Sequence, residues 1–237
     1  MVFTQVSTGP VGDVQAAYVP RRNPITDDVD WNESSLAGKL HFPYGTTEFD
    51  ILATHNFSDE VIGVGSTGYL KDVAWRIDGT WTFLDEESDN DDYLSLVANI
   101  DYSWVWWNKN LYGFLEYFFS GIGETDYSEA ITDPDIVSKL ARGELFTLGK
   151  NYLSGHIRIE LHPLFNFTLT GIHNMDDPSG LIQPHATWDV KQNFQIIAGG
   201  NFFYGRSGTE FGGFPIPGAG FQRKPADTAF LWFFYYF

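Results

Sequence analysis

Apolar and polar residues exchange places at nearly every step along this chain. Between Tyr93 and Trp106, one face collects Leu94, Leu96, Ala98, Ile100, Tyr102, Trp104 and Trp106, and the other Ser95, Asn99, Asp101 and Ser103. Val73, Trp75, Ile77, Trp81 and Phe83 oppose Arg76, Asp78, Thr80 and Thr82 in the same way, and Leu153, Ile157, Ile159 and Leu161 oppose Ser154, His156, Arg158 and Glu160. Side chains on a β-strand point alternately to opposite faces, so strict alternation over about ten residues describes a strand between two different media. The spacing predicts all-β structure of about twelve strands, with cores at 13–19, 36–42, 47–55, 61–69, 73–84, 93–106, 111–121, 151–162, 165–174, 181–190, 193–204 and 228–237. One short helix is expected over 133–142, begun by Asp133-Pro134 and ended by Gly143.

The connections fall into two populations. Short ones lie at Pro43–Thr46, Leu70–Asp72, Asn108–Asn110, His162–Leu164 and Val190–Gln192. Longer or more polar ones, at Pro20–Ser34, Asp85–Asp92, Ile122–Lys150, Met175–Gly180 and Gly205–Asp227, alternate with them, and only Asn56–Glu60 in that second set is brief. An even number of strands with tight turns at one end and long loops at the other describes a single up-and-down antiparallel barrel domain over 1–237, both termini at the short-turn end.

Strand length decides which medium the apolar face meets. Strands in soluble sandwiches run about 5–6 residues, whereas several here run about ten to fourteen, enough to cross a bilayer at a tilt. Aromatics gather at strand ends, with Trp104, Trp106 and Trp107 beside one short turn, Trp188 beside another, and Trp81 and Phe83 ahead of an acidic loop. Girdles at the two membrane interfaces have that distribution. A soluble all-β binding protein is the competing fold.

Composition removes other classes. Aromatics make up 17% of the chain and hydrophobic residues 43%, enough to bury a core, so disorder is excluded. With 14 Lys+Arg against 31 Asp+Glu, a net charge of −17 speaks against a nucleic-acid partner. The absence of cysteine excludes disulfides, Cys-based zinc sites and thiol catalysis. No run of about 18 apolar residues offers a transmembrane helix. Met1-Val2-Phe3-Thr4-Gln5 lacks the basic and apolar regions of a signal peptide, which reads as a cytoplasmic chain or as a mature or engineered form.

The last stretch, Thr228 to Phe237, ends on an aromatic, and Ala229, Leu231, Phe233, Tyr235 and Phe237 alternate back from the carboxyl terminus. It resembles the C-terminal signature of bacterial outer-membrane β-barrel proteins, which the barrel-insertion machinery of that membrane reads; the positions carrying it here are Phe233, Tyr235 and Phe237. Asn151–Gly213, with its Asn-Met-Asp-Asp-Pro-Ser turn and Ser-Gly-Thr-Glu-Phe-Gly loop, is similar to the C-terminal part of larger porin-like barrels, and that likeness allows a shortened form of a wider barrel. The resemblance implies a location in the outer membrane among lipid and lipopolysaccharide, short periplasmic turns, longer extracellular loops, and passive passage of small solutes.

Sorted by parity, the ionisable residues of the polar faces are Lys39, His41, Asp50, Arg76, Asp78, Asp101, Glu116, His156, Arg158, Glu160, His162, His185 and Asp189. The pore-lining set expected from them is Arg76, Asp78, Asn99, Asp101, Glu116, His156, Arg158 and Glu160. Carboxylates in a lumen favour cations, and facing arginines set up a transverse field; the alternative is that these groups pair with one another and only solvate the interior. About twelve strands would enclose a lumen wider than a filled eight-stranded barrel and narrower than a sixteen-stranded porin. The Ile122–Lys150 and Gly205–Asp227 loops are long enough to fold inward, the second with Glu210, Phe211 and Phe214 as a stiff constriction.

No metal site and no cofactor is expected. His156 and His162 are six residues apart, roughly 20 Å along a strand, too far to share an ion. The acidic stretch Asp85–Asp92 lacks the glycine and the terminal bidentate glutamate of an EF-hand loop and reads as a solvated hairpin tip, or as a weak site for Ca²⁺ or Mg²⁺. For catalysis, Thr54-His55-Asn56-Phe57-Ser58 has the residue types of barrel phospholipases but reads as a turn, and Asp176 and Asp177 near His173 match barrel proteases in composition only. The chain is therefore expected not to be an enzyme; a barrel lipase or protease, or a non-conducting scaffold or adhesin, are the alternatives.

Overall fold

The computed structural model describes residues 1–7, 9–85, 88 and 90–237. The strands are β1 (Val2–Ser7), β2 (Asp13–Arg22), β3 (Val29–Tyr44), β4 (Thr47–Asn56), β5 (Asp59–Leu70), β6 (Val73–Phe83), β7 (Tyr93–Trp106), β8 (Lys109–Ser120), β9 (Asn151–His162), β10 (Phe165–Asn174), β11 (Ser179–Lys191), β12 (Phe194–Tyr204), the two-residue β13 (Phe214–Pro215) and β14 (Gln222–Arg223), and β15 (Thr228–Tyr235). The helices are α1 (Tyr127–Ala130) and α2 (Pro134–Arg142). Among the described residues, thirteen strands form one antiparallel up-and-down sheet in chain order, β1 to β12 and then β15, while β13 pairs with β14 alone. Among the described residues, no helix is long and apolar enough to cross a membrane.

Each expected strand core falls on one of these strands, to within a residue or two at its ends. The sheet has thirteen strands rather than twelve because Val2–Ser7 adds an edge strand, pairing Val2 with Tyr18 and Ser7 with Asp13. That extra strand carries Met1 back beside the middle of β2, whereas the Tyr236 amide donates to the Asn193 carbonyl at a tight turn; the expected placement of both termini at the turn end does not hold. β1 and β15 end the strand order, and neither has a second ladder among the described residues. A second departure lies at Pro20–Ser34. Strands β2 and β3 reach into it as far as Arg22 and from Val29, but their pairing there is limited to Arg21 with Asp30 and Arg22 with Val29, beyond a register break between Val19 and Arg21; Pro20, at the break, has no amide hydrogen to give the ladder.

Contacts divide the chain into two compact units. The first, residues 1–98 and 119–122, holds β1 to β6, the start of β7 and the last two residues of β8. Its ladders align Leu40 with Ile51 and Ile51 with Val64 on one face, and Ala53 with Ile62 and Ile62 with Trp81 beside them. These side chains stay open: Ile62 is 53% and Val64 66% exposed. The second unit, residues 99–118 and 123–237, holds the rest. There Trp188 pairs with Ile196 and Ile196 with Phe233, and Phe233 remains 60% exposed.

The buried apolar residues of the second unit lie mostly outside its sheet. Tyr127, Ala130, Ile136, Leu145, Leu148 and Phe214 belong to the segments that follow β8 and β12, joined by Tyr152 at the start of β9. Helix α2 has the predicted ends: the Asp133 carboxylate accepts from the Asp135 and Ile136 amides, Pro134 opens the first turn, and Gly143 closes the helix in the left-handed region at φ 75°.

Candidate functional site

In the first unit, the polar face gathers on β2 to β6. Registered partners on antiparallel strands share a face, so Asp50 aligns with Gly65 and Gly65 with Asp78. Lys39 Nζ lies 2.9 Å from Asp50 Oδ1, and His41 Nδ1 lies 3.0 Å from the same oxygen. Asp78 makes no ion pair within 4.0 Å among the described residues, and Arg76 follows on the same face opposite Thr67. His55 belongs to the apolar face. It lies within β4, one residue before its end, rather than in a turn; its Nδ1 lies 2.8 Å from Glu60, its Nε2 3.2 Å from the Trp31 carbonyl, and its ring stacks on Trp31 at 4.3 Å. Both ring nitrogens are occupied, so this histidine is a fixed element of packing.

In the second unit, the polar face forms a hydrogen-bonded mesh. Asn99 donates to Glu116 at 3.2 Å and Ser154 to the same carboxylate at 3.5 Å, while Asn110 donates to Glu160 at 3.0 Å. The Arg158 guanidinium lies over the Tyr112 ring at 5.7 Å. His156 stacks on Phe114 at 5.3 Å, with Nδ1 2.8 Å from the Thr170 hydroxyl. Asp101 falls by parity on the same face as Asn99. A recess of about 420 Å³ opens among Ser103, Asn110, Tyr112, Arg158, Glu160 and Asn166. The structure thus places Asn99, Asp101, Glu116, His156, Arg158 and Glu160 on one face, and Arg76 and Asp78 on the polar face of the first unit. Phe233 and Tyr235 lie on the apolar face, opposite Ile196 and Phe194, with Phe237 beyond the end of β15.

A second centre escaped the sequence reading. Glu210 is buried, and each of its carboxylate oxygens is claimed. Oε1 accepts from the Leu148 amide at 2.7 Å; Oε2 accepts from the Tyr152 hydroxyl at 2.5 Å and from Asn174 Nδ2 at 2.7 Å. Asn174, fully buried, also donates to the Tyr127 hydroxyl, which donates onward to Asp177 at 2.7 Å. Asp177 then accepts the Glu210 amide at 2.9 Å and the Ser179 hydroxyl. The loop after β8 and the loop after β12 are thereby fastened to the ends of β9, β10 and β11.

The second of these loops lies against the polar face, since Tyr152 and Asn174 share the parity of His156 and Thr170, and Phe211 stacks on Phe203 at 6.3 Å. The Gly205–Asp227 loop does fold onto that face within the second unit, but Glu210 and Phe214 serve as buried anchors and not as open lining. Burial pushes the Glu210 carboxyl above the usual range, with Asp177 adding to the rise, although Tyr152, Leu148 and Asn174 oppose it. Burial, and then Asp177, likewise push the Tyr127 hydroxyl up. Tyr152 and Asn174 carried no sequence signal, because ordinary strand-end residues differ from clamp residues only by what packs on them.

The remaining candidates have structural duties. Asp176 accepts from the amides of Lys150 and Asn151, and His173 lies 3.0 Å from the Tyr204 hydroxyl. His162 Nδ1 accepts the Leu164 amide at the β9–β10 turn. The acidic stretch 85–92 includes residues 86, 87 and 89, which lie outside the described residues, so its expected role stands without a structural account. Among the described residues, no group of three or more His, Asp or Glu is placed to hold a metal ion. Comparison with protein-family models, with curated proteins and with solved structures returned no match.

Proposed function

We propose that this chain is an outer-membrane β-barrel channel for small hydrophilic solutes or ions, its polar face lining a hydrated lumen. The observation that carries the reading is the exposed apolar face. Leucines, isoleucines, valines and aromatics stand open along strand after strand, while the ionisable residues collect opposite. In water such a face would associate or precipitate; in lipid it is the side that belongs outside. A groove of about 790 Å³ on the first unit, lined by Ile51, Ile62, Val64, Ile77 and Trp81, offers the apolar contact an acyl chain needs.

Length and aromatic placement support the same reading. β9 has 12 residues and β7 has 14, against the ~9–11 that a tilted strand needs to span a bilayer. In the second unit, Trp106 and Trp107 stack at 4.2 Å beside a tight turn, with Trp107 80% exposed; an indole there can place its ring at the headgroup level. The C-terminal strand supplies Phe233, Tyr235 and Phe237 to the insertion machinery. Cation preference follows from the acidic balance, with Arg76, Asp78, Asn99, Asp101, Glu116, His156, Arg158 and Glu160 as the lining.

The test is single-channel recording of the protein, refolded in detergent and inserted into a planar bilayer with a salt gradient across it. Discrete steps with a cation-selective reversal potential are expected. A heat-modifiable folded form that never conducts would transfer the reading to a plugged barrel, enzyme or scaffold. A monomer stable in plain buffer that does not enter bilayers would overturn the membrane reading.

A further inference from the structure

A recess of about 410 Å³ lies on the polar face of the second unit, bordered by His156 on β9, Thr170 on β10, Gln183 and His185 on β11, Asn201 on β12 and Phe230 on β15. Its volume is at the small end of the roughly 300–1,000 Å³ that ligand sites occupy, room for a solute of one or two rings. The polar side is pre-arranged. Gln183 Nε2 donates to Asn201 Oδ1 at 2.7 Å, Asn201 Nδ2 donates to Thr228 Oγ1 at 3.0 Å, and His156 Nδ1 lies 2.8 Å from Thr170 Oγ1. Each bond fixes a side chain by one atom and leaves it further hydrogen-bonding capacity: the Gln183 carbonyl oxygen, a second Asn201 N–H, and the other imidazole nitrogen of His156.

The apolar side is equally specific. Phe230 registers with Gly199, and a Cβ at position 199 would come within 2.7 Å of the Phe230 ring. The glycine is the space in which that ring lies against the sheet, with Trp232 4.6 Å beyond it. Among the described residues, no carboxylate, lysine or arginine borders the recess, although the chain carries a charge of −17. Such a wall discriminates by hydrogen-bond pattern and ring contact, and not by charge.

We propose that this recess binds a neutral polyhydroxylated solute, a sugar of one or two rings. The hydroxyls of such a ring match a row of amide, hydroxyl and imidazole groups that both donate and accept, and its C–H faces, slightly positive, match the negative face of an aromatic ring. The proposal rests on the channel reading for its biological sense, since it names the solute that pauses in the lumen. The binding itself needs only the folded second unit.

The experiment pairs two readouts on the full chain, using maltose as probe and a detergent without a sugar headgroup. In the bilayer, maltose is expected to interrupt the open current in a concentration-dependent way. In detergent, calorimetric titration is expected to show saturable maltose binding, which Gln183→Leu and Phe230→Ala each weaken at least about fivefold. Heat-modifiable migration of both variants checks that they fold. Current without interruption, together with no heat, overturns the sugar site and leaves the channel standing. No current, but variant-sensitive binding, overturns the channel and keeps the site. Gluconate or glucosamine binding more tightly than maltose overturns the neutral class, and loss of both readouts overturns both proposals.

Discussion

The Tyr152 hydroxyl, which accepts a hydrogen bond from the Gly149 amide, donates its own proton to Glu210 across 2.5 Å. Strand β9 and the loop after β12 are thereby tied through one buried oxygen pair, and the Leu148 amide and Asn174 complete the carboxylate's shell. Removing that carboxylate leaves several buried donors without an acceptor, each costing about 1–3 kcal/mol unless water reaches it.

Glu210→Ala is accordingly expected to release the 122–150 and 205–227 loops while leaving the sheet folded. Limited proteolysis should cut those loops faster than in the parent, with heat-modifiable migration unchanged. Glu210→Gln, which keeps the shape and an acceptor oxygen, should give the smaller effect. Equal resistance of Glu210→Ala and the parent would show that the clamp is not what holds the loops.

The clamp should also respond to pH. Burial raises the Glu210 carboxyl above its ordinary range, so the folded state holds that proton more tightly than the unfolded chain does. Its contribution is fully present below the ordinary glutamate value and is lost as pH rises through the raised value. Hydrogen exchange at the Leu148 and Glu210 amides, corrected for intrinsic rates, should show protection falling from acid to neutral pH. Glu210→Gln should flatten that dependence.

Helix α2 offers a local test of end chemistry. Asp133→Ala removes the acceptor of the Asp135 and Ile136 amides, and Gly143→Ala forces a Cβ into φ 75°. Each should lower the local stability of α2 by about 1 kcal/mol, read as faster exchange within 134–142 and unchanged exchange in the sheet.

Ion selectivity, under the channel reading, should depend on Asp78 more than on Asp50. Lys39 and His41 both lie against Asp50, so that carboxylate presents little free charge, whereas Asp78 has no such close pair among the described residues. Asp78→Asn should lower the cation-to-anion permeability ratio about twofold, measured from the reversal potential under a salt gradient, and Asp50→Asn by less. The opposite ranking would place the selecting charge at Asp50.

Much of this architecture was legible because it is local. The alternation over Tyr93–Trp106 and Val73–Phe83 carries both faces of β7 and β6, and Asp133-Pro134 with Gly143 carries both ends of α2. β1 was missed because six residues pairing along one edge leave little periodic signal, and Val2–Ser7 is exposed on both faces. Pro20 suggested a loop where the structure tolerates a break in register and continues the strand. Thr54–Ser58 read as a turn, although only Phe57 and Ser58 lie between β4 and β5 and His55 packs under Trp31.

Which side chains share a face, where tight turns fall and how α2 begins and ends can all be read along the chain, since each depends on residues a few positions apart. That Glu210 meets Tyr152, 58 positions away, and Asn174, 36 positions away, or that Phe230 lies over Gly199, follows from the folded arrangement alone. A buried carboxylate is tolerable only where several donors converge on it, and that convergence is set by how the long loops return to the sheet, a property that no spacing along the chain encodes.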